Sequence, residues 1–140
     1  MNHRSLLRAV AAAVAAGMVV LALGAPAGAE KIENQIAVFS GLDKITAKIT
    51  SFEVPLNAKK IFGVLEVTAR VCYSRPPTEP PKTTAFVEVH ELRSDAAPRR
   101  IFSGWMFADS PGLNAVEHPV YDIWLTSCKT ASGSPSPSNE

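Results

Sequence analysis

The sequence predicts an all-β fold, a compact sandwich or partly closed barrel of six to seven strands held by one disulfide. Three observations predict it. From Ile36 to Ser127 apolar and polar residues alternate with period two, the spacing at which successive side chains of a strand face opposite ways. These runs are short and are separated by Pro, Gly, Asn and Asp, residues that turn the chain. Helical periodicity is nearly absent, and the two cysteines, Cys72 and Cys128, each fall at the end of an alternating run. A five-stranded oligonucleotide-binding-type barrel is the second architecture, because closure removes the exposed edges that a small β domain must hide.

Residues 1–29 read as a secretory leader. Arg4 and Arg8 form a short positive head, Ala9 to Leu23 is a near-unbroken apolar run, and Ala27-Gly28-Ala29 supplies a small-x-small cleavage pattern. Cleavage after Ala29 leaves Glu30 as the first residue. Glu30 is not a cysteine, so lipid attachment is not expected, and Arg4 and Arg8 are too far apart for a twin-arginine signal. The apolar run is shorter than the about 20 residues of a membrane helix, and no second one is present, so no membrane span is expected once the leader is gone. The product is expected to be soluble, unanchored and folded outside the cytoplasm.

The remaining 111 residues suffice for one domain, Glu30 to Lys129. Strands are expected at Ala37–Leu42, Thr46–Val54, Gly63–Ser74, Thr83–Leu92, Arg100–Ala108 and Val120–Ser127, with Lys59–Phe62 as a short seventh. Pro55-Leu56-Asn57-Ala58 has the chemistry of a hairpin turn. Arg75 to Lys82 carries four prolines and must be a stiff exposed loop, and Ser94 to Pro98 is a further turn. Ser110 to Glu117 predicts one helical turn with Ser110 as cap and Pro111 at the first helical position, stopped by His118-Pro119. Thr130 to Glu140 is Ser, Pro, Gly and Asn without an apolar anchor, and is expected to be a disordered tail.

Strict alternation puts Leu65, Val67, Ala69, Val71 and Tyr73 on one strand face, and Glu66, Thr68, Arg70 and Cys72 on the other. The same count puts Cys128 with Asp122, Trp124 and Thr126. Both cysteines therefore fall on polar faces. An exported pair meets an oxidising compartment, and one disulfide is the simplest reading. The alternatives are two buried thiols or a redox pair, for which C-x-x-C spacing is missing. A bond between them would close a loop of 57 residues counting both ends, which the chain-entropy model values at roughly 4 kcal/mol.

Charge excludes one class of partner. Without Arg4 and Arg8 the chain has 12 basic against 13 acidic residues, and the only adjacent bases are Lys59-Lys60 and Arg99-Arg100. A nucleic-acid partner, which needs a clustered basic field, is not expected. Chemistry-bearing residues gather between Asp109 and Asp122, with Ser110, Glu117 and His118. A hydrolase or metal-dependent enzyme could draw on that segment, but no nucleophile elbow surrounds Ser110 and no paired-histidine spacing marks a metal site. Ile101 to Phe107 is apolar on both faces, as in a central strand, with Trp105 expected in the core. Trp124 lies on an otherwise polar face, so Trp124, Gly104, Asp122, His118 and Glu117 form the candidate binding surface.

Gly41-Leu42-Asp43-Lys44-Ile45-Thr46, together with Phe102 to Ala108 running on through Glu117-His118-Pro119-Val120-Tyr121-Asp122-Ile123-Trp124 to Cys128, resembles a domain-of-unknown-function family of small exported alphaproteobacterial proteins. The resemblance covers roughly Ile36 to Lys129 and implies a Gram-negative periplasmic address. It brings no activity, cofactor or catalytic residue. The sequence therefore reads as a non-catalytic periplasmic binding or accessory module for an envelope protein or assembly, without a cofactor or metal.

Overall fold

A computed structural model describes residues 28–131. Residues 1–27 of the expected leader and residues 132–140 of the expected tail lie outside the described residues. Within them are nine strands: β1 (Ile32–Asn34), β2 (Ile36–Asp43), β3 (Lys48–Pro55), β4 (Lys59–Phe62), β5 (Leu65–Ser74), β6 (Thr84–Glu91), β7 (Arg99–Phe107), β8 (Val116–Glu117) and β9 (Tyr121–Lys129). They form two antiparallel sheets. One runs β1-β5-β6-β7, with β4 also paired to β5. The other runs β3-β2-β9-β8. The sheets face each other as an open sandwich rather than a closed barrel, and the core between them includes Phe39, Val54, Leu65, Val67, Val87 and Leu125.

The long alternating runs form strands where expected, and the differences have local causes. The turn after β2 is longer than the alternation suggests, because the Asp43 carboxylate and Ala47 at φ 55° hold the chain in a turn until Lys48. Pro55 to Ala58 does turn, with Ala58 N donating to Pro55 O at 3.0 Å and Asn57 at φ 63°. It is not a hairpin, however. It carries the chain from β3 in one sheet to β4 in the other. The expected helical turn at Ser110–Glu117 is absent: Leu113 N donates to Ser110 O in a single turn, and Val116 is buried as β8 against Ile123. Burial of Val116 beside β9 outweighs a weak local helical preference. The short strands β1 and β8 carry too few residues to show a period.

Three β-bulges correct the phase of the longest strands. In β5, Ala69 pairs with Val87 and Val71 with Phe86, leaving Arg70 as an extra residue. In β9, Thr126 is extra between Leu125, opposite Phe39, and Ser127, opposite Val38. Each extra residue moves the remainder of its strand to the other face. Leu65, Val67 and Ala69 point inward and so do Cys72 and Ser74; Ile123 and Leu125 point inward and so does Cys128. The cysteines thus occupy the core rather than the polar faces that strict alternation assigns them. In β7, Ile101 is extra, so Ile101 and Phe102 both pack on the core. Met106 then becomes fully buried, and Trp105 turns outward with 40% of its surface exposed. Trp105 is therefore not a core residue. Nor is β7 central: it is the last strand of its sheet.

Cys72 and Cys128 form a disulfide with Cα atoms 5.8 Å apart. Packed sheets ordinarily stand about 10 Å apart, so the two layers pinch together here. The strand neighbours opposite the cysteines are Ala85 and Ala37, both fully buried and small enough to permit the approach. Buried polar groups beside the bond are satisfied locally, with Asn34 Nδ2 donating to Ser74 Oγ at 2.9 Å. The bond closes a long loop across the two layers, so replacing both cysteines by alanine should lower unfolding free energy by about 4 kcal/mol in a urea titration. A loss under about 1 kcal/mol would mean the packed layers hold without it. Alkylation of the native protein without reductant should label neither thiol.

Candidate binding surfaces

The two sequence segments that carry the family resemblance meet at the end of the sandwich opposite the disulfide. Lys44 is the joint. Its backbone N donates to Val120 O at 2.8 Å, its ammonium donates to His118 O at 2.9 Å, and it lies 2.7 Å from Asp122 Oδ1. Beside it the Asp43 carboxylate accepts the backbone N–H groups of Ile45 at 2.9 Å and Thr46 at 3.2 Å. The Thr46 N–H is the main reason that the Asp43 carboxyl titrates below its ordinary range; desolvation opposes it, and the Ile45 N–H and the Thr46 side chain add to the lowering.

His118 gathers the other turns. Its Nδ1 accepts the backbone N–H of Val120 at 3.1 Å, which assigns the ring proton to Nε2 in the neutral form. Nε2 faces Glu91 Oε2 at 3.3 Å, and that oxygen also receives Arg99 Nη2 at 3.2 Å. The His118 ring stacks on Tyr121 with centroids 5.7 Å apart. Tyr121 meets Phe62 edge-on at 5.5 Å, and Phe62 stacks on Phe52 at 5.3 Å. Two glycines make room for this row. A Cβ on Gly41 would overlap the Phe62 ring, and one on Gly63, at φ 59°, would overlap Tyr121.

The residues singled out from sequence do not share one surface. Glu117 and Asp122 are opposite each other in the β8–β9 pair, and His118 adjoins them. Trp124, half-buried, lies opposite Ser40 in the same sheet as Asp122. Gly104 belongs to the other sheet, where a Cβ would point at the Phe102 ring. Ser110 sits in a turn on Phe107, toward the disulfide end, whereas His118 is turned to Glu91 at the opposite end. The Asp109 to Asp122 segment therefore places its nucleophile and its base apart. Among the described residues no group of three or more His, Cys, Asp or Glu side chains is arranged to hold a metal ion.

A surface that sequence reasoning missed lies on the outer face of the five-stranded sheet. Trp105 stacks on Tyr73 with centroids 6.0 Å apart and meets Phe86 edge-on at 5.6 Å. The Lys31 ammonium stands 3.7 Å above the Tyr73 ring, a cation–π contact. Asn114 Nδ2 donates to Trp105 O at 2.9 Å and fixes the strand edge beneath the ring. The signal was present in the spacing of Tyr73, Phe86 and Trp105, but the bulges at Arg70 and Ile101 hide it from a count of alternation.

Residues 37–128 match the DUF2155 family, described as an uncharacterized protein conserved in bacteria. The chain belongs to this family. Among curated proteins, an uncharacterized protein of Rickettsia prowazekii (strain Madrid E), RP359, is 33% identical over 89 residues, which are 62% of this chain and 56% of that protein. The chain thus matches little more than half the length of its Rickettsia relative. No solved structure matches. The DUF2155 match begins at Ala37 and ends at Cys128, so it spans the residues that make the Lys44, His118 and Tyr121 contacts and both halves of the disulfide. Among the described residues no helix is long and apolar enough to cross a membrane.

The glycine and aspartate roles are measurable. Gly63→Ala should cost at least about 2 kcal/mol in thermal or urea unfolding, through a left-handed backbone and the clash with Tyr121; Gly112→Ala, where a Cβ meets nothing within 4 Å, is the control. Asp43 has a lowered folded pKa, so the folded chain binds fewer protons there than the unfolded chain. Its contribution is present above the ordinary aspartate value of 3.8 and is lost as pH falls through the lower folded value. The stability gap between wild type and Asp43→Asn should be full at neutral pH and close in that acidic window.

Proposed function

We propose that this chain is an exported protein that works in the periplasm as a non-catalytic binding or accessory module for an envelope protein or assembly. The observation that carries this reading is the buried Cys72–Cys128 bond between the two sheets, since a structural disulfide belongs to an oxidising compartment. The leader pattern of residues 1–29 supports the same address. A third feature agrees with cleavage after Ala29. The Glu30 nitrogen lies 3.1 Å from Glu79 Oε1, and Arg75 Nη1 donates to Glu30 O at 3.2 Å while pairing with Glu79 at 3.5 Å. Cleavage would turn that peptide N–H into an ammonium beside a carboxylate, a stronger charge-assisted bond. The proline-rich loop from Arg75 to Lys82 then has a role, since it holds Glu79 in place for the new terminus.

The binding role rests on the Trp105, Tyr73 and Phe86 cluster. Trp and Tyr dominate the energetic centres of protein interfaces, and a half-exposed Trp wedged between two rings offers area at little entropic cost. This cluster replaces Trp124 as the leading partner surface. N-terminal sequencing of the protein recovered from the envelope should begin at Glu30, with both thiols oxidised; an intact leader or free thiols would remove the export reading. Trp105→Ala should lower stability by about 1–3 kcal/mol through the two lost ring contacts while remaining folded, and should weaken recovery of the partner from envelope extract by tenfold or more, which corresponds to about 1.4 kcal/mol. An unchanged recovery would move the partner surface elsewhere.

A further inference from the structure

The end of the sandwich built on Lys44 and His118 carries aliphatic side chains where turn chemistry calls for polar ones. Ile45, at the tip of the turn between β2 and β3, is 78% exposed, and Val64, in the turn between β4 and β5, is 41% exposed. Ile49 in β3 and Ile61 in β4 are also exposed. Solvent-facing turns favour Gly, Asn, Asp, Ser and Pro, so two β-branched tips at one end are out of place for a surface that meets only water. They are also held firmly. The Asp43 carboxylate binds the N–H groups of Ile45 and Thr46, Lys44 is clamped by His118 O and Asp122, and Val64 O accepts the Leu92 N–H at 2.8 Å. The tips are presented on a rigid base.

The charges around the tips are of both signs, with bases slightly in excess. The acids are largely engaged: Asp43 by its own turn, Asp122 by Lys44, Glu91 by Arg99 and His118, and Glu66 by Lys59 at 2.9 Å. Lys48, Lys60, Arg93 and Arg100 are exposed and sit in the strands and turns at this end. Against them stand Asp95 and Glu117, also exposed. Counting Lys44, Lys59 and Arg99, seven bases stand against six acids at this end, and aliphatic tips bordered by exposed lysines and arginines match a bilayer surface carrying anionic headgroups. The side chains enter the boundary of the acyl region while the lysines and arginines remain at the phosphates.

We infer that the Ile45 and Val64 tips form a peripheral docking site for an anionic phospholipid bilayer. The site lies apart from the Trp105 cluster and does not depend on the partner reading, so a bound partner and a membrane surface can be engaged by different parts of one molecule. The cations supply long-range attraction, and the two aliphatic side chains supply the apolar contact that holds the domain in place.

The test is sedimentation of the chain from Glu30 to Glu140, which contains every strand and the disulfide, with vesicles of phosphatidylcholine alone or of phosphatidylcholine and phosphatidylglycerol in equal parts. The protein should sediment with the mixed vesicles and little with the neutral ones, and binding should weaken as salt is raised. Ile45→Ser should reduce binding roughly tenfold by removing a buried aliphatic group, and Lys48→Glu should reduce it further and flatten the salt dependence. Ile45 is so exposed that its replacement leaves the melting temperature unchanged, and combining it with Val64→Ser should abolish sedimentation. Failure to bind mixed vesicles, or undiminished binding by the double variant, overturns the inference. So does a change of oligomeric state by Ile45→Ser without vesicles, which would make the tips a contact between two copies.

Discussion

Everything in this fold depends on two strands changing phase at the right residue. β5 and β9 each carry one extra residue, Arg70 and Thr126, two positions before a cysteine. Without those bulges Cys72 and Cys128 would point to solvent from opposite layers. With them, both turn into the core opposite alanines, and a covalent bond draws the layers together. The bulges are themselves anchored. Arg70 reaches Glu88 at 2.7 Å and Asn57 at 3.1 Å, and Thr126 Oγ1 donates to Val38 O at 3.0 Å. At the β9 bulge the Thr126 hydroxyl thereby supplies a donor to the Val38 carbonyl of the neighbouring strand.

The space between the layers is filled differently along its length. Where the disulfide pinches the sheets, the filling residues are Ala37, Ala85 and the cysteines, with Asn34 and Ser74 bonded to each other. Toward the opposite end the filling becomes a row of rings from Phe39 through Phe52 and Phe62 to Tyr121. Small residues at one end and rings at the other give a tapered sandwich, and Gly41 and Gly63 are the points where a backbone must yield to a ring. The wide end is also where the turns are tied together by Lys44 and His118, so the same packing that completes the core sets the shape of the exposed tips.

Two surfaces of different character result. The outer face of the five-stranded sheet carries an aromatic cluster flanked by a lysine, the surface proposed for a partner. The wide end carries exposed aliphatic tips with lysines and arginines nearby, the site inferred for a bilayer surface. Neither uses the Asp109 to Asp122 carboxylates and histidine as a reactive set. Two of those side chains tie the turns together: Asp122 holds Lys44, and His118 links Val120, Tyr121 and Glu91.

The all-β class, the number of long strands, the exposed proline loop and the pairing of the cysteines were legible in the sequence, because each arises from local chemistry or from there being only two thiols. The Pro55 to Ala58 turn was legible too, but not that it changes sheets, since a turn's residues do not say which layer receives the next strand. The faces of β5, β7 and β9 were not legible. A bulge has no reliable local signature, and one extra residue inverts every assignment beyond it. Strict alternation therefore puts Trp105 in the core although it faces outward, and puts the cysteines outside although they are buried. Which residues meet at the Lys44 and His118 end was decided by tertiary structure alone, because Lys44, Gly63, Glu91 and His118 are far apart in the chain. Only the packing of two sheets brings their turns to one end.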